Sequence, residues 1–176
     1  CKAAGECVVR ERKPGQPVRV FIGVNRQRSE YKGTDIMLRA ARAVEARHPG
    51  QMELLVAESV PFSQYVTMMH GSDAILDQLY SYTPSMNPLE AMSRGIVCIG
   101  GGEPENYDIL GERDLRPIIN VAPTCGSVEH ALEHLVRHPG DIIRLQRESV
   151  EYIARHHDHM RVAREYERLY REILCQ

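Results

Sequence analysis

Three cations, Arg26, Arg28 and Lys32, crowd one short stretch of "VFIGVNRQRSEYKGTDIML", Val20 to Leu38. They lie between an apolar run that ends near Gly23-Val24 and the tripeptide Gly33-Thr34-Asp35, where Thr34 suits the N-cap of a helix. A helix start offers unpaired N–H groups and a partial positive charge, and nearby long cations add charge-assisted bonds, so the stretch has the makings of a phosphate site. A solvated basic loop that holds nothing accounts for the same residues equally well, because a free helix start only permits anion binding.

A second stretch, "YTPSMNPLEAMSRG" (Tyr82–Gly95), opens a helix between Ser85 and Pro88 and sets Glu90 early in it. The amides of Ser85, Met86 and Asn87 could face an anion, and Glu90 could accept two hydrogen bonds from a diol such as a ribose. An acid in the first turn is also favourable with the helix dipole alone. Histidine supplies a third pattern: His130, His134 and His138 at i, i+4 and i+8, then "HHDH" at His156–His159. Two histidines at i, i+4 can share a metal, but zinc needs three or four ligands and nothing fixes the others, so no metal is expected. Neither a Gly-x-Gly-x-x-Gly fingerprint nor a Gly-Lys-Ser/Thr phosphate loop is present, which removes nicotinamide-type oxidoreductases and P-loop ATPases.

The elements that must position these residues are legible. "VRVFIGV" (Val18–Val24), "MELLVA" (Met52–Ala57), "DAILDQL" (Asp73–Leu79), "IVCIG" (Ile96–Gly100) and "RPIINV" (Arg116–Val121) read as strands, with helices over 35–48, 62–70 and 86–94 and through the remainder. Strands apolar on both faces that alternate with helices predict an α/β fold, a Rossmann-like parallel β-sheet with helices on both faces. Ligands in such sheets bind beyond the carboxyl ends of the strands, so the loops after strands one, three and four are the informative ones. Residues 1–16, punctuated by Pro14-Gly15, read as a linker or incoming segment and 17–176 as one domain.

Composition narrows the classes. With 22 Lys and Arg against 24 Asp and Glu, the formal charge of -2 gives no overall field for nucleic acid or anionic membrane, so any anion site is local. Five cysteines without paired spacing argue for a reducing compartment rather than a secreted disulfide framework. No apolar stretch approaches the roughly 20 residues of a membrane span.

Taken in order, the motifs resemble the carboxyl-terminal, donor-binding half of the retaining GT-B glycosyltransferases (group 1, family-4-like). "GVNRQRSEYKG" resembles that family's strand, Gly, Arg and then Lys-Gly; "KGTDIMLRAARAV" resembles the helix that follows. "GSDAILDQLYSYTPSMNPLEAMSRGIVCIGG" (Gly71–Gly101) resembles its most diagnostic block, and "EYIARHHDHMRVAREYERLYREI" its closing helices, the last of which usually packs on the partner domain. The resemblance spans roughly Val18 to Ile173. It implies that Arg26 and Lys32 bind the donor diphosphate and stabilise the leaving group, with Arg28 a bystander. It further implies that Glu90 holds the ribose, that Ser85, Met86 and Asn87 approach the phosphates through their backbone amides, that Gly23 belongs to the donor site, and that the base lies at Val60 and Pro61. At the position of the family's sugar-contacting Glu stands Tyr82, a departure shared with a subgroup that carries Asp-Gln-Leu, here Asp77-Gln78-Leu79.

The expected function is therefore transfer of a sugar, with retention, from a nucleotide-sugar donor such as a UDP-, GDP- or ADP-sugar, without metal or other cofactor. The amino-terminal acceptor domain is expected to lie outside this sequence, which opens on Cys1, so the isolated domain is expected to be inactive. Cell-envelope polysaccharide synthesis in the cytoplasm, with peripheral contact at the inner membrane face, is the expected setting, with no nucleic acid as partner. A GT-B-type sugar-nucleotide epimerase and a degenerate, non-catalytic binding module are the alternatives.

Overall fold

The structure, a computed structural model, describes Lys13 and residues 15–175, so most of the expected linker lies outside the described residues. Five strands, β1 (Val18–Val24), β2 (Met52–Glu58), β3 (Ala74–Leu76), β4 (Val97–Gly100) and β5 (Ile119–Asn120), pair in parallel in the order β2-β1-β3-β4-β5. Around them run α1 (Ser29–Lys32), α2 (Thr34–Arg47), α3 (Phe62–His70), α4 (Met86–Ser93), α5 (Pro104–Leu110), α6 (Cys125–Arg137), α7 (Pro139–His156) and α8 (His159–Leu174). The chain is thus a Rossmann-like α/β domain.

Side chains that alternate along β1 feed two separate cores, as the period-2 geometry of a strand requires. Val18, Val20 and Ile22 pack with Met37, Ala40, Ala41 and Val44 of α2 and Leu132 and Leu135 of α6. On the other face, Phe21 packs with Ile75, Cys98, Met69 and Met92 and with Tyr107 and Tyr152. Helix α7 serves both, giving Ile142 and Leu145 to the first core and Tyr152 and Ile153 to the second.

Three of the expected strands are shorter than their apolar runs, β4 by Ile96 alone and the other two by more. β3 stops at Leu76 and β5 keeps only Ile119 and Asn120, because β3 finds register partners only for Ala74 to Leu76 and β5 pairs only with Ile99 and Gly100. Asp77 still donates its amide to the Ile99 carbonyl of β4 at 3.2 Å, and the chain then leaves the sheet through Gln78 and Leu79. At the start of α2, Thr34 is not the N-cap: Gly33 is, at φ 71°, while the Thr34 hydroxyl turns back to the Ser29 carbonyl at 3.4 Å. A side chain at Gly33 would be strained by that dihedral and would also meet Leu79 Cβ at 2.9 Å.

Candidate functional site

In the order β2-β1-β3, the chain crosses over between β1 and β3, which makes the carboxyl ends of these strands a topological switch point. A cavity of about 300 Å³ opens there, lined by Gly23, Val24 and Asn25 after β1, by Ala57, Ser59 and Val60 after β2, and by Leu76 and Asp77 after β3. Arg28, Lys32, Thr34, Tyr65 and Asn87 complete the wall. The loop after β4, expected to contribute, packs instead against the loop after β3: a Cβ on Gly101 would fall 1.7 Å from the Ser81 carbonyl oxygen.

Local structure sorts the three cations. Asn25 accepts the Gln27 amide at 3.0 Å and starts a 3-10 turn over Arg26–Arg28, after which α1 ends at Lys32. Arg26, 84% exposed, pairs with Glu58 at the end of β2 and lines an adjoining hollow that shares Val24, Asn25 and Ser59 with the main cavity. Arg28 and Lys32 line the main cavity itself. Lys32 is held from behind by its own carbonyl, which accepts the Leu79 amide at 2.9 Å and ties the loop after β1 to the loop after β3.

Facing Lys32 is Asp77, only 7% exposed. Its two carboxylate oxygens accept the Ser85 hydroxyl at 3.2 and 3.3 Å, and the Ser85 amide also bonds it. Burial pushes the Asp77 carboxyl above its ordinary range, against the opposing pull of Lys32 and of the Ser85 bonds. Ser85 therefore serves Asp77, whereas Asn87 lines the cavity and donates to the Tyr65 hydroxyl at 2.5 Å. The Tyr65 ring stands edge-on to Phe21, centroids 4.9 Å apart, and its hydroxyl covers Gly23 so closely that a Cβ there would lie 2.6 Å away. Burial pushes the phenol's pKa above its ordinary value.

The remaining expected site residues divide. Gly23 and Val60 line the cavity; Pro61 sits just beyond it as the N-cap of α3. Met86, Tyr82 and Glu90 do not line it: Met86 and Tyr82 are exposed, and Glu90 faces Arg94, at 3.4 Å, and His70, at 3.9 Å. Asp77, Arg28, Tyr65 and Ser59 were not singled out as site residues by sequence. Ser59, at φ 54°, is a non-glycine in the left-handed region, a strained position that sets the path from β2 into α3. The Asp-Gln-Leu string was the available signal for Asp77, since an acid after an apolar run is where a strand of this fold presents its end.

Several of the histidines pair with acids or with one another, His134 and His138 with ring centroids 4.7 Å apart. His134 bonds Asp141 at 2.8 Å, His156 bonds Glu112 at 2.6 Å, and Asp158 caps α8. Among the described residues no group of three or more His, Cys, Asp or Glu is placed to hold a metal ion.

A parallel sheet with a polar, cation-bearing cavity at its switch point defines a Rossmann-like α/β domain with a candidate ligand site. No protein-family model and no curated protein matches the sequence. Among solved structures, the chain is similar to UDP-GlcNAc 2-epimerase from Neisseria meningitidis bound to UDP-GlcNAc, with 14% identity and a TM-score of 0.49. The match covers 76% of this chain and 40% of that one, so the chain spans less than half of that protein's length. So distant a likeness says nothing about activity. Among the described residues, no helix is long and apolar enough to cross a membrane.

Proposed function

We propose that this chain is the donor-binding domain of a nucleotide-sugar-dependent glycosyltransferase of the GT-B type, acting with retention. The observation that carries the reading is the pairing of Lys32 and Arg28 in one cavity at the β1/β3 switch point, within the ordered set of motifs that resembles that family. Two cations there would hold a diphosphate and stabilise the charge that gathers on it as the glycosidic bond breaks. Gly23, Ser59 and Val60 would lie along the nucleoside. The acceptor would come from a second domain across the cleft, so the chain by itself is expected to bind nucleotide and to transfer little.

The spacing shared with the family assigns the diphosphate to Arg26 and Lys32. Placement favours Arg28 over Arg26, because Arg26 is engaged by Glu58 outside the main cavity. Thermal shift with UDP, GDP, ADP and their glucose esters tests the function: a ligand that binds only the native state at 100 times its dissociation constant adds about 2.7 kcal/mol of stability. Lys32→Ala and Arg28→Ala should each remove a charge-assisted bond of about 1.5–3 kcal/mol, roughly ten- to a hundredfold in affinity. Arg26→Ala should cost far less. If no nucleotide shifts the unfolding temperature and all three variants match wild type, the domain is a non-catalytic module; epimerised sugar formed without acceptor by the full-length enzyme would mark an epimerase instead.

A further inference from the structure

We propose that Asp77 is a charge selector: a carboxylate fixed in the floor of the phosphate cavity that limits how much negative charge the cavity accepts, favouring a nucleotide sugar over the free nucleoside diphosphate. The inference rests on the function proposed above and adds a specificity-determining residue to it.

The geometry is unusual for an anion site. The amino-terminal end of α4 (Met86–Ser93) borders the cavity through Asn87, and the hydroxyl and amide of its N-cap, Ser85, are already taken by the Asp77 carboxylate. An internal anion thus stands where an incoming phosphate would otherwise gain most from the helix end. The groups that act on Asp77 come from four elements, Lys32 from α1, Ser85 ahead of α4, Tyr65 from α3 and the Cys98 thiol from β4, while Arg28 from the 3-10 turn lines the same cavity. Only Lys32 and Arg28 are cationic, and the ionised Asp77 offsets one of them.

A diphosphate esterified at both ends carries one charge fewer than a nucleoside diphosphate whose terminal phosphoryl group has lost its second proton, at a pKa of roughly 6. Beside a fixed carboxylate in a half-buried cavity that extra charge is penalised, so the departing product is held less tightly than the donor. Because Asp77 is buried, it also responds to the ligand. Bringing any phosphate close favours its protonation, so binding should take up part of a proton and tighten as pH falls.

Titration calorimetry of wild type and Asp77→Asn with UDP, GDP, ADP and their glucose esters at pH 7.5 tests this. The Asn keeps an acceptor for Ser85 while removing the charge. Asp77→Asn is expected to tighten the free diphosphate roughly tenfold more than the ester, the effect of one charge across several ångströms of partly screened medium. In wild type, repeating the ester titration in buffers of different ionisation enthalpy between pH 5.5 and 7.5 should show fractional proton uptake, which the variant lacks. The ester has no phosphate proton to exchange in that range, and if the variant fails to fold, the wild-type uptake alone decides. Ester binding without proton uptake, or with the same preference in both proteins, overturns the selector and leaves the proposed function standing. Absence of binding by every ligand at every pH overturns both.

Discussion

Gly23 and Tyr65 divide one space at the end of β1. A methyl group on Gly23 would lie 2.6 Å from the Tyr65 hydroxyl and 2.8 Å from its ring, inside van der Waals contact, and the ring is backed by Phe21 and cannot simply retreat. Gly23→Ala is therefore expected to destabilise the fold by about 1–3 kcal/mol, read from urea unfolding. It should also expel Tyr65 from the cavity wall. In combination with Tyr65→Leu the two losses should not add, because the smaller side chain removes the clash that the alanine creates. Additive losses would show that the contact does not limit this position. The same scale governs the cations: a 3-10 turn has about three residues per turn, so Arg26 and Arg28, two positions apart, point in different directions. One reaches Glu58 while the other reaches the cavity.

Among the elements, α8 stands apart. It carries Val162, Tyr166, Leu169 and Ile173 at alternating spacings of four and three, the seam of an amphipathic helix, yet none of its residues is buried. Its exposed face is braced by i,i+4 pairs, Arg161 with Glu165 and Arg171 with Glu167, which contribute tenths of a kcal/mol each. Neither core includes it. Removal of residues 159–176 should leave the unfolding transition of the remaining domain cooperative and its stability within about 0.5 kcal/mol of the parent, as for surface changes. A loss of several kcal/mol in a urea melt would place α8 in the fold after all. The helices that do hold the domain are capped: the Thr124 hydroxyl accepts the Ser127 amide at 3.2 Å at the head of α6, and Gly111 at φ 66° ends α5.

For the whole molecule, acid is the informative stress, because two groups at the junction of α5 and α7, the half-buried His157 and the buried Glu112, titrate abnormally. Burial depresses His157 to about 4, with the neighbouring His156 adding to it, so its imidazole is neutral in the folded protein. In the unfolded chain it charges near 6.5, so stability is full above that pH and falls as pH drops from 6.5 toward 4. Glu112 goes the other way. Burial alone would raise it, but His156, the amides of Asp114 and Leu115, and Arg155 outweigh that and hold it at about 2. Its contribution is present above the ordinary 4.5 and lost as pH falls from there toward 2. Unfolding temperature should therefore decline in two stages on acidification, and His157→Gln should flatten the upper one. A profile that stays level from pH 6.5 to 4 in wild type would contradict the burial of His157.

Much of this architecture is local and so was readable from the chain. β-branched runs such as Val18–Val24, helix stops at His48-Pro49-Gly50, and Gly95 after α4 each encode their element through nearest neighbours, and strands apolar on both faces can only be covered on both sides. Alternation then leaves little choice but a parallel sheet, and Gly23, Lys32, Val60 and Asn87 fall at or shortly after strand ends, where such sheets open. What the sequence could not determine is which side chains meet. Asp77 faces Lys32 because the Leu79 amide bonds the Lys32 carbonyl across a long interval of chain. Arg26 is drawn off by Glu58 from another strand, and Glu90 turns to Arg94 and His70. Those choices depend on distances between loops that are far apart in sequence, and no local propensity or spacing carries that information, so tertiary packing alone decided them.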